Sequence, residues 1–122
     1  MNIDNKTEQL IILLTRETYS GEVKWKNEQP PVGLAKGTED FYPLYLQANY
    51  KGSTVGLYQR RYKHYYDEFE FYWCEDIGMC VVGEYQAILW DYNERSTALA
   101  NLFEAAREQA SGISGILDNL LK

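Results

Sequence analysis

Residues 41–90 carry the pattern that most restricts this chain: runs of β-branched and aromatic side chains of strand length, punctuated by turn signals at Lys51-Gly52, at Asp67-Glu68 and around 76–78. An antiparallel meander is the simplest architecture with that punctuation. Helical patterns flank it. Upstream, Asn5 can cap a helix with Glu8 three positions on; Leu10, Leu13 and Leu14 supply an apolar face, and Gly21 offers a stop, so a helix is expected over 5–19. Val23 and Trp25 then alternate with charges as a short half-buried strand would, before Pro30, Pro31, Gly33 and Gly37 mark a loop.

Downstream, Leu99, Phe103, Ala106, Ala110, Ile113, Leu117 and Leu120 recur alternately four and three residues apart, a heptad stripe. A helix over 94–121 would be roughly 40 Å long at 1.5 Å per residue. Gly112 and Gly115 lie inside it and cost about 1 kcal/mol each relative to alanine, so a kink or break near Ser111 competes with one continuous rod. Strands of typical length cannot shield so long a helix. The stripe is therefore expected to cover the chain's own sheet first, with the distal residues Ile113, Ile116, Leu117, Leu120 and Leu121 left to dock on a second subunit or a partner protein. At 122 residues one core is expected. The fold class is α+β: a single domain over 1–122 with a leading helix, an antiparallel sheet of about five strands, and a long C-terminal helix, kinked or straight, packed on the sheet.

The stretch GLYQRRYKHYYDEFEFYW, 56–73, holds eight aromatic rings and three fixed cations. With Asp67-Glu68 as a two-residue turn, Tyr66 pairs with Phe69, His64 with Phe71, Tyr62 with Trp73 and Arg60 with Glu75. The rings then share one face beneath a helix, and Gln59, Arg61, Lys63, Glu70 and Tyr72 form the solvent side. Val55 and Leu57 fall on the Arg61 side of the same strand. Either a bulge near 59–61 restores one core face, which is the favoured solution, or different segments cover the two faces. The functional alternative leaves the aromatic face open, with Tyr58, Arg60, Tyr62 and His64 forming a groove for a nucleotide or other small ligand by stacking and charge. Burial of Tyr62, Phe71 and Trp73 separates the two. If those rings stand open on an uncovered sheet, the noncatalytic blocker loses its footing and the ligand platform takes its place.

Groups for chemistry are sparse. His64 is the sole histidine and has no serine or cysteine nucleophile identifiable beside it. SGISG at 111–115 lacks the order of a nucleophile elbow and follows a helix, and GLAKGT lacks Walker spacing. The adjacent acids at turns read as solvated caps, not as an acid–base pair across a cleft. No catalytic residue, metal site or cofactor is expected. Cys74 and Cys80 are expected as free thiols, although CEDIGMC at a tight hairpin would allow a cross-strand bridge.

The formal charge of -6 disfavours duplex nucleic acid and anionic membrane and favours a basic or neutral partner. Only a five-residue apolar run, 10–14, occurs early, which points to a cytoplasmic protein without a secretory signal or membrane span. The expected role is a small acidic noncatalytic interaction protein, an inhibitor, immunity, counter-defence or regulatory module. It would form a homo-oligomer and bind a partner protein in part through Glu75 and Asp76.

LLTRETYSGEVKWK near the start and LANLFEAAREQASGISGILDNLL at the end cover about a third of the chain. They resemble short uncharacterised bacterial and phage proteins with a leading helix, a Gly-x-x-x-Trp strand entry, a meander and a terminal helix reading L-x-x-L-(F/Y)-x-x-A-R. The resemblance implies this same architecture and no activity. In those proteins the middle is less aromatic, and the residue after the late glycine often opens a helix with an acidic cap; here that place reads Gly112-Ile113-Ser114-Gly115.

Overall fold

The computed structural model describes residues 3–122, with side chains from Asn5 onward. Helix α1 runs Ile3–Ser20, so Asn5 lies within it instead of capping it. Its buried side is Thr7, Ile11, Leu14 and Thr18, spaced as one face of a helix. Gly21, at φ +82°, ends it as expected. Strand β1, Lys26–Asn27, is two residues long, and Val23 and Trp25 are buried in the approach to it. The Pro/Gly segment is not all loop: α2, Val32–Ala35, forms one short turn.

Strands β2 (Phe41–Tyr50), β3 (Ser53–Tyr65), β4 (Phe71–Val82) and β5 (Ile88–Tyr92) complete a five-stranded antiparallel sheet in the order β1-β2-β3-β4-β5. The Lys51-Gly52 turn forms as expected, both residues at positive φ, and it sets Ala48 opposite Val55 and Leu46 opposite Leu57. No turn forms at 76–78: β4 runs straight through, and a 3-10 turn at Glu84–Gln86 makes the reversal into β5. Cys74 and Cys80 thus sit on one strand, roughly 20 Å apart at about 3.3 Å per residue, and both are free.

Both sheet faces are covered at the end nearest the Lys51-Gly52 turn. On one, Leu46, Ala48, Val55, Leu57 and Met79 pack beneath α1 and α3 (Thr97–Ser111), which contributes Leu99, Leu102, Phe103 and Ala106. On the other, Leu34 of α2 closes a smaller core of Tyr45, Tyr58 and Cys80. The switch in apolar side along β3 is therefore met by covering two faces with different segments. The expected bulge in β3 near 59–61 is not there: the irregularity is on β2, where Phe41 to Leu44 oppose Arg61 to Gln59. Ser96 caps α3 by accepting the Leu99 N–H, and α3 ends at Gly112 in the left-handed conformation, φ +63°. A separate helix α4, Ile113–Leu120, follows and buries none of its side chains. The C-terminal stripe is thus broken at Gly112, and only its first half lies in the core.

Candidate functional site

β3 and β4 continue past the helices as a two-stranded arm. Its register differs from the expected one by a residue. Asp67 accepts the backbone N–H groups of Phe69 (2.7 Å) and Glu70 (3.0 Å), an Asx-type turn, and the connection spans 66–70. Tyr65 therefore faces Phe71, His64 faces Tyr72, Lys63 faces Trp73, Tyr62 faces Cys74 and Arg61 faces Glu75. Because strand side chains alternate in direction, this one-residue slip distributes the rings over both sides of the arm.

On the side continuous with the main core stand Phe41, Arg61, Lys63, Tyr65, Phe71, Trp73 and Glu75. No helix covers the rings among them, which are left 39% exposed or more. Phe41 is 57% exposed, Trp73 54% and Phe71 39%, so the expectation that the hairpin rings hide beneath a helical lid is overturned. Lys63 Nζ lies 4.5 Å from the Phe71 ring centroid and 5.6 Å from that of Trp73, and Phe71 meets Trp73 edge-on at 6.0 Å. Phe41, Arg61, Trp73, Cys74 and Glu75 line an open cleft of about 460 Å³. The Glu75 carboxylate accepts from Arg61 Nε at 2.9 Å and from Gln59 Nε2 at 2.6 Å. Those bonds hold its pKa below the usual carboxylate range, Arg61 having the larger effect and Gln59 the lesser.

The opposite side carries Tyr58, Arg60, Tyr62 and His64 in one row, as their alternation requires, but they do not form one open groove. Tyr58 is fully buried, and its hydroxyl donates to Asp91. Burial, with that bond second, pushes its ionisation above the ordinary tyrosine range. Arg60 binds Asp76 with two nitrogens, has Asp40 at 3.7 Å, and lies 4.5 Å from the Tyr62 ring centroid. Its guanidinium is thus engaged by two carboxylates and a ring. His64 is exposed and packs against Tyr72 at 5.0 Å; Tyr72 in turn stacks on Tyr66 at 6.1 Å. Only the outer part of the row, Tyr62 and His64 with Tyr66 and Tyr72, faces solvent.

Of the expected partner-contact residues, Glu75 and Asp76 are consecutive on β4 and point to opposite faces, each paired with its own arginine, whereas Ile113, Ile116, Leu117, Leu120 and Leu121 are exposed on and just beyond α4. Phe41 and Phe69, the latter 84% exposed at the arm's tip, join the apolar surface without having been singled out from sequence. Phe41's signal was its place at the entry to a strand. Burial raises the Cys80 thiol to about 12, which leaves it protonated at neutral pH. Among the described residues no group of three or more His, Cys, Asp or Glu is arranged to hold a metal ion, and no helix is long and apolar enough to cross a membrane. No family model matches this chain, and comparison with curated proteins and with solved structures gives no match.

Proposed function

We propose that the protein is a noncatalytic binding module that engages a partner protein through the open rings of its β3–β4 arm. The observation that carries this reading is the exposure of Phe41, Phe71 and Trp73 on one side of the sheet, Phe41 of β2 and Trp73 of the arm lining an open cleft. Exposed Trp and Tyr interleaved with Arg is the composition that concentrates binding energy at protein interfaces. The surface is two-sided and projecting, a shape suited to entering a groove on another macromolecule rather than to enclosing a small molecule. The acidic balance favours a basic partner, as expected of an inhibitor or immunity-type protein that acts by occupying its target's surface. The apolar side chains of α4 provide for self-association.

The second reading, a nucleotide or small-ligand platform, is the one that open rings were expected to favour, and it draws support from the exposure of Phe71 and Trp73 and from the His64–Tyr72–Tyr66 stack. It ranks lower because Tyr58 is closed off and Arg60, the cation that would meet a phosphate, is already paired with Asp76. Native mass spectrometry on protein purified from its own host separates the two. A co-purifying protein that disappears in a Phe71→Ser/Trp73→Ser double variant is the expected outcome. A released nucleotide, with no captured protein, would transfer the assignment to the ligand platform.

A further inference from the structure

The outer edge of β4 is open along the arm. β5 pairs with β4 only between Met79–Tyr92 and Val82–Ile88, whereas β3 accompanies β4 to Tyr65–Phe71. Among the described residues no other strand pairs with the stretch from Phe71 to Gly78. The direction of its peptide groups follows from the phase of the ladder. The Tyr66 N–H donates to the Glu70 carbonyl at 3.3 Å, making that a hydrogen-bonded pair. Bonded and non-bonded pairs alternate in an antiparallel ladder. Tyr72, Cys74 and Asp76 therefore turn their peptide groups toward β3, and Phe71, Trp73, Glu75 and Ile77 turn theirs outward. The Gly83 N–H bond to the Ala87 carbonyl, 2.7 Å on the β5 side, has the same odd-numbered phase.

Folded proteins guard such edges with charged side chains, lysine above all, with proline or with a bulge, and the charges here are Glu75 and Asp76 alone. This stretch, FYWCEDIG, contains neither lysine nor proline, and its pairing with β3 runs without a register shift. Where β5 leaves the edge and the chain turns into α3, a cleft of about 410 Å³ opens beside it, lined in part by Asp76, Ile77, Asn93, Glu94 and Ser96. A strand continuing the sheet beyond the end of β5 would run into this cleft.

We infer that the open edge of β4 accepts an extended segment of the partner protein as an added strand, with apolar side chains beside Phe71 and Trp73 and basic ones beside Glu75 and Asp76. This rests on the reading of the arm as a partner-binding surface and specifies how the partner is held: outward peptide groups supply the bonds, and the flanking rings and acids select the side chains. Charge favours such an occupant. Between 59 and 77 the chain has three fixed cations and five carboxylates, and Glu39 and Asp40 lie against the same arm through Tyr65, Lys63 and Arg60.

The test uses the full chain, isotopically labelled, and a capped eight-residue peptide with two basic residues toward its N-terminus and valine alternating with threonine thereafter, laid antiparallel to β4. Amide exchange followed by NMR should slow by about tenfold or more at Trp73, Glu75 and Ile77 on adding the peptide, and change little at Tyr72, Cys74 and Asp76, which already bond to β3. The same peptide methylated at alternate backbone nitrogens should give no protection. Glu75→Pro removes one outward donor at an edge position where proline is tolerated, and should weaken binding by about tenfold beyond the effect of Glu75→Gln. Its melting curve verifies the fold, and Trp73→Pro serves as the second such variant. Uniform protection without alternation, no protection at millimolar peptide, or undiminished binding by a folded proline variant would overturn strand addition. None of these results would touch the partner-binding reading, which fails instead if native mass spectrometry releases a nucleotide and no protein.

Discussion

Tyr45 and Tyr58 lie flat against the sheet because the strands beneath them carry glycine. A Cβ at Gly56 would come within 2.6 Å of the Tyr45 ring, and one at Gly78 would overlap the Tyr58 ring and hydroxyl. Each tyrosine is thereby sealed from water, which penalises its phenolate. Burial is the leading cause of raised ionisation at Tyr45, Tyr58 and Tyr42, the last pushed up to about 12 from an ordinary 10.0. A phenol whose folded pKa exceeds its unfolded value contributes stability that is intact below pH 10 and is lost as pH rises through the folded value. Alkaline titration should show it: most of the eleven tyrosines ionise first by absorbance near 295 nm, and the final ones only together with loss of far-ultraviolet dichroism. Complete ionisation before any unfolding would contradict the burial of these rings. Gly78 also shows what sequence could not convey. It resembled part of a turn signal, yet its role is clearance for a ring twenty residues earlier in the chain, and that requires knowing the strand pairing.

Among the elements, α1, the approach to β1, and α3 are joined by one side chain. Gln109 accepts the Trp25 N–H at 2.8 Å and donates to the carbonyls of Val23 (2.7 Å) and Thr18 (3.1 Å), while the Trp25 indole donates to Thr18 Oγ1 at 2.9 Å. Gln109→Ala should cost about 1–3 kcal/mol in urea denaturation, since it strands partly buried peptide groups that water does not readily reach. A loss no larger than that of an exposed helix position would show the clamp to be incidental. Helix, meander and terminal stripe were legible in sequence because each rests on local periodicity and punctuation. Arm register was not. It is set by Asp67 reaching back over Phe69 and Glu70, and neither face of the arm is covered, so no burial pattern existed to reveal which side each ring takes. The turn at Lys51-Gly52, flanked by strands with a covered face, is legible in sequence for the complementary reason.

At the scale of the whole molecule, two apolar surfaces lie away from the cores, one on the arm and one on α4. Ile116 and Leu117 are about half exposed and Leu120 and Leu121 more so, and Asp118 is the only charged residue within α4. The proposed self-association would use this face, whose low charge leaves little local repulsion despite the overall charge of -6. Sedimentation equilibrium should give a concentration-dependent mass for the native chain and a monomer for Leu117→Asp, whose far-ultraviolet dichroism should match the native because α4 buries none of its side chains within one chain. A monomeric native protein at high concentration would leave α4 without this role.

The left-handed glycine at 112 also has an evolutionary consequence. Because every core contact of the C-terminal segment is made before it, whatever follows can be exchanged, lengthened or retuned without repacking the interior, so selection can act on the tail as an interchangeable module while the scaffold stays fixed.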